Sequence, residues 1–227
     1  MKKISSAFLL IILFFAGPNL LFSQIFEDDW IEGDFWVELD PAVQETETEY
    51  PLTKEDAARR ALEEARYVFS GIVFGFRFSY MPSDKNREVK EFFDIVPLFQ
   101  IPWGDPNLSV RGTRREEDIY IIKIRYTPEV FLLYRLDGWR SNAIPRSAGL
   151  GTGNLFQGYK EKIAAVENGI KSAVRTYAQG KVFNKPREIT GEAALEGIPY
   201  IIIDSGEYRA KVSVRLRNLD IIPYSTY

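Results

Sequence analysis

The strongest constraint on the fold is a strict alternation of apolar and polar residues near the C-terminal end of the chain. Between Glu207 and Arg217 every second residue is apolar, and the residues between them are charged or polar. A period of two is typical of a β-strand that buries one face, and such a strand needs neighbouring strands and covering helices to complete a core. A second alternating run, Ile72–Tyr80, predicts another strand with an aromatic inward face.

Shorter apolar runs bounded by turn residues predict the remaining strands. They cover residues 89–100, 108–112, 118–126, 188–195 and 199–204. Pro97 confines the first of them to a sheet edge or a bulge, and Asp204-Ser205-Gly206 is typical of a hairpin turn. The polar, Gly-rich stretch 137–157 lacks such a pattern and is predicted to be a connection.

Two stretches have helical periodicity. Thr53 and Asp56 form a capping-box-like start to a helix over 53–66, in which alanines recur every four residues. Apolar residues at spacings of three and four predict a second helix over 159–178.

These elements predict an α+β fold. Two amphipathic helices are expected to pack on a mixed or antiparallel sheet of about six strands. The order of elements indicates two diverged units, 53–136 and 158–222, each a helix followed by strands. Both units belong to a single predicted domain, 53–227.

The N-terminal residues have the pattern of a secretory signal peptide. Lys2 and Lys3 precede an apolar run, Ala7–Ala16, which is followed by Gly17-Pro18 and by the small residue Ser23. We expect cleavage after Ser23, and therefore an exported protein that is periplasmic or associated with the cell envelope. A spanning helix needs about 20 apolar residues, so membrane contact is expected only if this segment stays uncleaved.

After the predicted signal peptide, residues 24–52 are expected to form an acidic, aromatic arm. The arm carries ten acidic residues and no basic one, whereas the rest of the chain has an excess of basic residues. It also contains Trp30, Phe35 and Trp36, and disordered acidic tails lack such large apolar residues. We therefore expect the arm to dock, either on its own basic domain or on a partner protein.

The composition excludes several classes of function. The 227 residues include no Cys and no His, which removes disulfides, thiol catalysis and the commonest transition-metal ligands. The nucleophile motifs Ser-x-x-Lys and Gly-x-Ser-x-Gly are absent from the sequence. The 32 acidic residues exceed the 29 basic ones, so a nucleic-acid partner is not expected. We predict neither a metal nor a cofactor.

A Gly-rich run, Gly149–Gly158, precedes the second predicted helix. It differs from a phosphate loop because Tyr159 and Lys160 stand where that motif requires Lys and then Ser or Thr, so no nucleotide is expected. What remains is a helix N-terminus with basic residues near it, an arrangement that can hold an anion. The candidate anion-binding residues are Arg140, Arg146 and Lys160. The alternative is a plain connecting loop.

The candidate partner-binding residues are aromatic, because aromatic side chains dominate the hot spots of protein interfaces. Trp30, Phe35 and Trp36 lie in the acidic arm, and Trp103 and Trp139 lie beside turns. For Trp103 and Trp139 the alternative is a place in the core under long loops.

Two segments resemble uncharacterised exported proteins of spirochaetes. They are Asp56–Gly75, with the sequence DAARRALEEARYVFSGIVFG, and Ile101–Pro106, with the sequence IPWGDP. The order of a helix followed by strands is also similar, at the level of elements alone, to small envelope domains of the flagellar assembly protein T type. The resemblance implies a periplasmic or envelope-associated protein in the neighbourhood of the periplasmic flagellum. It implies no catalytic residue.

Together these observations favour a non-enzymatic structural or interaction component of the bacterial cell envelope. Its expected partner is another envelope or periplasmic protein. The alternative is a hydrolase of envelope polysaccharide that uses two carboxylates. Two acids lining one concave pocket would favour the hydrolase, and a broad apolar and aromatic patch would favour the interaction protein.

Overall fold

The computed structural model describes residues 29–46 and 48–224, so the predicted signal peptide lies outside the described residues. Within them the α-helices are Lys54–Val73 (α1), Val130–Arg140 (α2) and Glu161–Gln179 (α3), with a short 3-10 turn over Leu155–Gln157. The strands are Ile31–Glu38 (β1), Phe76–Met81 (β2), Phe92–Pro97 (β3), Leu108–Glu116 (β4), Ile119–Tyr126 (β5), Arg146–Asn154 (β6), Glu188–Leu195 (β7), Tyr200–Asp204 (β8) and Glu207–Ile222 (β9). The α+β class is confirmed, whereas the sequence predicts too few helices and too few strands.

The strands pair antiparallel and form two sheets. The smaller sheet has the order β1–β5–β4, and the larger sheet has the order β3–β2–β7–β9–β6, with β8 also paired to β9. At 16 residues, β9 is long enough to pair with β6 and β8 at one end and with β7 at the other. Its predicted inward side chains are all buried: Tyr208, Ala210, Val212, Val214 and Leu216. The strand that contains Pro97 is an edge strand, as the proline predicts.

Helix α1 lies between the two sheets. On one side the ring of Phe69 lies 5.5 Å from that of Phe35 and 6.4 Å from that of Tyr126, both of which belong to the smaller sheet. On the other side Tyr67 lies 5.2 Å from Phe76 of the larger sheet. The second half of the helix is therefore buried on all sides.

This burial explains why α1 extends beyond its predicted end at residue 66. Ile72 lies in the last turn of the helix and Phe74 is its C-cap, so the predicted strand begins late, at Phe76. Gly75 separates helix from strand with a φ of +81°, a conformation that favours glycine. A helix that is buried on all sides has no polar face. The last residues of α1 therefore fit the alternating pattern of a strand as well as that of a helix.

The Gly-rich stretch predicted to be a connection contains the end of α2 and all of β6. Gly149, Gly151 and Gly153 alternate along β6 and face α3. A Cβ atom at Gly151 would lie 2.0 Å from the backbone nitrogen of Gly169 in α3. These glycines allow a strand and a helix to touch backbone to backbone. This close packing accounts for the Gly-rich run that resembles a phosphate loop in the sequence.

The described part of the acidic arm contains a strand of the fold, Ile31–Glu38. Strand β1 pairs with β5 along its whole length, and Ile31, Phe35 and Val37 are buried. The arm therefore docks on its own chain. The two predicted helix-plus-strands units also share the larger sheet, because β2 pairs with β7.

Candidate interaction surface

Two of the five aromatic candidates are core residues. Phe35 and Trp139 are each 2 % exposed. Phe35 packs edge-on against Phe69, and Trp139 lies under Arg217, whose guanidinium carbon is 3.8 Å from the indole centroid. Burial removes both from the predicted partner-binding set, and Trp139 takes the alternative place, in the core.

Trp36 fastens the N-terminal segment to the rest of the chain. Its Nε1 donates a hydrogen bond to the carbonyl of Ile201 at 3.3 Å. Its ring centroid lies 3.9 Å from Nζ of Lys162 and 6.2 Å from the ring of Tyr208. These contacts attach the half-buried indole to its own chain, and its role toward a partner stays a prediction.

A buried charge cluster, formed by Lys162, Glu64 and Tyr159, lies against Trp36. Lys162 Nζ donates to Glu64 Oε2 at 2.7 Å and to the Trp36 carbonyl at 2.8 Å, and Tyr159 Oη donates to the same Glu64 oxygen at 2.6 Å. Burial lowers the pKa of Lys162 against the opposing effect of Glu64. Burial and the Glu64 carboxylate raise the pKa of Tyr159 well above its ordinary value. Because the Lys162 side chain is wholly inaccessible, it joins three segments of the chain and offers no nucleophile to a substrate.

The N-terminal end of α3 holds an anion that belongs to the chain itself. Glu45 Oε1 accepts a hydrogen bond from the backbone amide of Tyr159 at 2.8 Å, and its Oε2 accepts one from Arg60 at 2.7 Å. Burial acts to raise the pKa of Glu45, but the Tyr159 amide and Arg60 outweigh it, and the pKa is lowered. Gly158 has a φ of +94°, and a Cβ atom there would lie 2.5 Å from Glu45 Oε1. The acidic segment thus fills the site that the sequence offers to an external anion.

The three predicted anion-binding residues are not brought together. Arg146 begins β6 and pairs with Glu196 at 2.5 Å. Lys160 lies just before α3, beyond the other end of β6, and a strand of nine residues spans roughly 30 Å. Arg140 ends α2, 3.9 Å from Asp137. The prediction of one shared site fails because β6 holds Arg146 and Lys160 at opposite ends of a strand.

Helix α2 exposes an apolar face. Val130, Phe131 and Tyr134 are 68 %, 64 % and 74 % exposed, and their spacing places them on one side of the helix. Its buried residues are Leu132, Leu136 and Trp139. A helix that buries one side and leaves a second apolar side in solvent is typical of a protein interface. We call Val130, Phe131, Tyr134 and the cavity beside them the α2 surface.

This cavity has a volume of about 290 Å³ and brings two sequence candidates together. Trp30 and Arg140 line it, together with Leu133 and Tyr134 of α2. The half-buried Trp30 is held by Arg125, whose Cζ lies 4.1 Å from the ring centroid. Trp30 and Arg140 therefore lie in one candidate site, although Arg140 lines the cavity beside α2 rather than a helix N-terminus.

The exposed residues of α2 are missed by sequence reasoning. The run Val130–Leu136 is apolar on both sides of the helix, so it lacks the single stripe by which amphipathic helices are recognised. The number of apolar residues is a usable signal, because Val130–Leu136 has more of them than one buried side of a helix needs. Pro128 just before it is a further sign of a helix start.

Trp103 is the remaining aromatic candidate and is 55 % exposed. It lies in the turn between β3 and β4, with Arg66 Cζ 5.0 Å from its ring centroid. Arg66 is in turn fixed by a hydrogen bond to the carbonyl of Ile101 at 3.0 Å. Trp103 is thus accessible to a partner.

A second cavity, of about 330 Å³, is lined by three carboxylates: Glu91, Asp94 and Glu167. Burial raises the pKa of Glu167; the Tyr67 hydroxyl, which donates to it at 2.7 Å, opposes the shift, and Asp94 adds to it. A carboxylate-dependent hydrolase requires two acids in one cavity, of which the general acid has a raised pKa, and Glu167 has a raised pKa here.

Over residues 29–46 and 48–224, no group of three or more acidic side chains is placed to hold a metal ion. In the same part of the chain, every helix is too short or too polar to cross a membrane.

Two comparisons with known proteins match most of the chain. A protein-family model matches residues 22–224. An uncharacterised protein of Treponema pallidum (strain Nichols) is 29 % identical over 192 residues, which cover 85 % of this chain and 80 % of the relative. No solved structure matches the chain.

Proposed function

The chain belongs to an uncharacterised spirochaete protein family, and on that premise we propose that it is an exported, non-enzymatic interaction component of the cell envelope or periplasm. The observation that carries the proposal is the α2 surface. Three large apolar side chains there are more than half exposed, beside a cavity that a partner side chain can enter. The proposed partner is another envelope or periplasmic protein.

The free energies of side-chain burial and of association indicate how much of the α2 surface a partner must cover. Full burial of a side chain such as Val130 or Phe131 contributes about 1.5–3 kcal/mol. Association costs about 4–15 kcal/mol in lost freedom. Burial of the exposed side chains alone offsets only part of this cost, so the partner must also fill the cavity beside Trp30.

The charges around the α2 surface favour one kind of partner. Asp29 and Asp137 line the cavity, and Glu129 is the N-cap of α2. Arg140, 3.9 Å from Asp137, offsets one of these three acids. The excess of acid favours a partner with an apolar centre and basic residues around it.

A paired set of variants tests the α2 surface. Phe131→Ser/Tyr134→Ser removes its exposed side chains, and Leu150→Ser/Tyr200→Ser removes an equally exposed pair on β6 and β8. With a photo-crosslinking residue at Val130, the control should capture the same envelope protein as the wild type, and the α2 variant should lose it. Capture that is equal in all three proteins would contradict the proposal.

Export rests on the N-terminal pattern of Lys2, Lys3 and the apolar run before Ser23. Mass spectrometry of the native protein should find Gln24 at the N-terminus. A membrane-inserted product that retains residues 1–23 would contradict cleavage.

The narrower form of the proposal places the protein near the periplasmic flagellum. It is supported only by the similar order of helix and strands. Envelope fractions from spirochaete cells with and without periplasmic flagella test it, because a flagellum-associated protein should change fraction when the flagella are lost. An unchanged distribution would restrict the proposal to the envelope in general.

A second candidate function is a hydrolase of envelope polysaccharide. The cavity that contains Glu167 and Asp94 favours it, with Glu167 as general acid because its pKa is raised. Purified peptidoglycan should then release soluble reducing sugars with the wild type and not with Glu167→Gln. Equal release by both proteins, or none by either, would exclude this role for Glu167.

A further inference from the structure

We infer that a cavity at the C-terminal end of α3 binds a small amphipathic anion, namely a carboxylate joined to a short apolar group. The cavity has a volume of about 260 Å³ and lies between the end of α3, the start of β7 and the connection from β2 to β3. This site is separate from the α2 surface, and the inference does not depend on the proposed interaction function.

One wall of the cavity is apolar. Ile189, Ala178 and the ring of Tyr80 are buried and line it, together with Val182 and Pro186. Pockets for drug-sized ligands have volumes of about 300–1,000 Å³. The smaller volume here restricts the ligand to a short apolar group rather than a long chain or a folded partner.

The one carboxylate in the lining is already neutralised. Glu91 Oε1 accepts a hydrogen bond from Tyr80 Oη at 2.9 Å, and its Oε2 accepts one from Lys171 Nζ at 3.0 Å. Burial acts to raise the pKa of Glu91, but these two hydrogen bonds, together with the positive charges of Lys171 and Arg175, outweigh it, and the pKa is lowered. Glu91 and Lys171 therefore form an ion pair with no net charge.

Two further cations line the cavity without a carboxylate partner. Among the described residues, Arg175 takes part in no salt bridge, although its charge acts on both Glu91 and Tyr80. Lys185 Nζ donates to the backbone carbonyl of Ser83 rather than to an acid. The cavity thus has an excess of positive charge beside an apolar floor, and this combination selects an anion with an apolar tail.

Arg175 suits a carboxylate in particular. A guanidinium offers two parallel N–H donors that match the two oxygens of a carboxylate. Phe183 lies on the lining with its side chain fully exposed, where it can cover an apolar tail. Lys185 adds a second positive charge at the rim.

Two sources share this ligand chemistry: the C-terminus of a peptide and a short free fatty acid. Ala-Ala-Leu with a free C-terminus and hexanoate are suitable probes. Their amides, Ala-Ala-Leu-NH₂ and hexanamide, keep the apolar groups and remove the negative charge. Each probe is titrated into the purified protein, and binding is followed by the backbone amide NMR signals of Ala178 and Ile189.

Arg175→Gln is the test variant, and Arg59→Gln, at an exposed position of α1, is the matched control. We expect binding of the carboxylate probe to weaken at least tenfold in Arg175→Gln and to stay unchanged in Arg59→Gln. Tighter binding of the tripeptide would identify a peptide terminus as the ligand, and tighter binding of hexanoate would identify a fatty acid.

Three results would overturn the inference. They are no saturable shift with either carboxylate at millimolar concentration, equal binding of the amides, and undiminished binding by Arg175→Gln. Because Arg175 is exposed, the variant should retain the wild-type melting temperature, which the same samples can show. The crosslinking test at α2 can succeed or fail independently of these outcomes.

Discussion

Helix α3 meets strand β6 through backbone atoms, whereas helix α2 turns Phe131 and Tyr134 to solvent. On the side of α3 that faces β6 and the core, the residues serve the fit to the rest of the chain: Gly169 allows close approach, and Lys162 ends in a buried ion pair. In α2 the apolar residues exceed what the core can cover. The difference separates residues that hold the fold together from residues that remain available for a partner.

The largest expected effect lies on the α3 side. Lys162→Met leaves the buried Glu64 carboxylate without its counter-charge, and the free energy of unfolding should fall by about 3–5 kcal/mol. Urea denaturation measures the loss. Lys162→Met/Glu64→Gln removes both charges and keeps an acceptor for Tyr159, so it should recover most of the stability. A single variant as stable as the wild type would show that the cluster does not secure α3.

The next effect concerns the contact between α3 and β6. Gly151→Ala places a Cβ atom 2.0 Å from the Gly169 backbone nitrogen, and overpacking of this kind costs about 1–3 kcal/mol or more. Gly112→Ala is the control, because no atom lies within 4 Å of its added Cβ. Thermal melts should separate the two variants clearly. Equal melting temperatures would mean that α3 shifts away at little cost.

On the α2 side a glycine should behave in the opposite way. Gly138 lies in the last turns of the helix, and an added Cβ meets no atom within 4 Å. Gly138→Ala should therefore raise the free energy of unfolding by up to about 1 kcal/mol, because alanine favours the helix. Chemical denaturation with the wild type as reference checks this increase. A loss of stability would indicate that a side chain at 138 meets the core.

The smallest effect is expected where the α2 surface is exposed. Phe131→Ser and Tyr134→Ser should each change the free energy of unfolding by no more than about 0.5 kcal/mol. Phe76→Ala, at a fully buried position of β2, should cost about 3–5 kcal/mol and serves as the reference in the same denaturation series. If the serine variants lost nearly as much stability, Phe131 and Tyr134 would belong to the core, and the contrast between α2 and α3 would be wrong.

Residues with one buried face are the ones whose structure follows from sequence. The alternation in β9 and the apolar stripe of α3 both predict their elements well, because solvent on the opposite face imposes a clear period. The C-terminal half of α1 and the whole of α2 lack that contrast, since one is surrounded by protein and the other is apolar on both sides. The prediction misses β6 for another reason. Its glycines have low strand propensity, and the need for them is seen only when α3 is in place against the strand.

The candidate site was predictable in part. Trp30 and Arg140 line one cavity, but their positions in the sequence do not indicate that they lie close together. They meet because β1 pairs with β5 and α2 follows β5. Phe35 and Trp139 have the same residue types as exposed hot spots, and only tertiary packing shows that they are buried. Glu45 illustrates the same limit, since its contact with Tyr159 joins residues 114 positions apart.

Distance along the chain also determines when the core can close. The Lys162 ammonium bonds to the carbonyl of Trp36 across 126 residues, and ribosomes add about 5–20 residues per second. Strand β1 therefore waits roughly 6–25 s for Lys162 to be synthesised. Throughout that interval Ile31, Phe35 and Val37 have no complete core to enter, and long-range pairing of this kind folds slowly even when the chain is finished. The charge cluster can therefore close only after most of the chain has been synthesised.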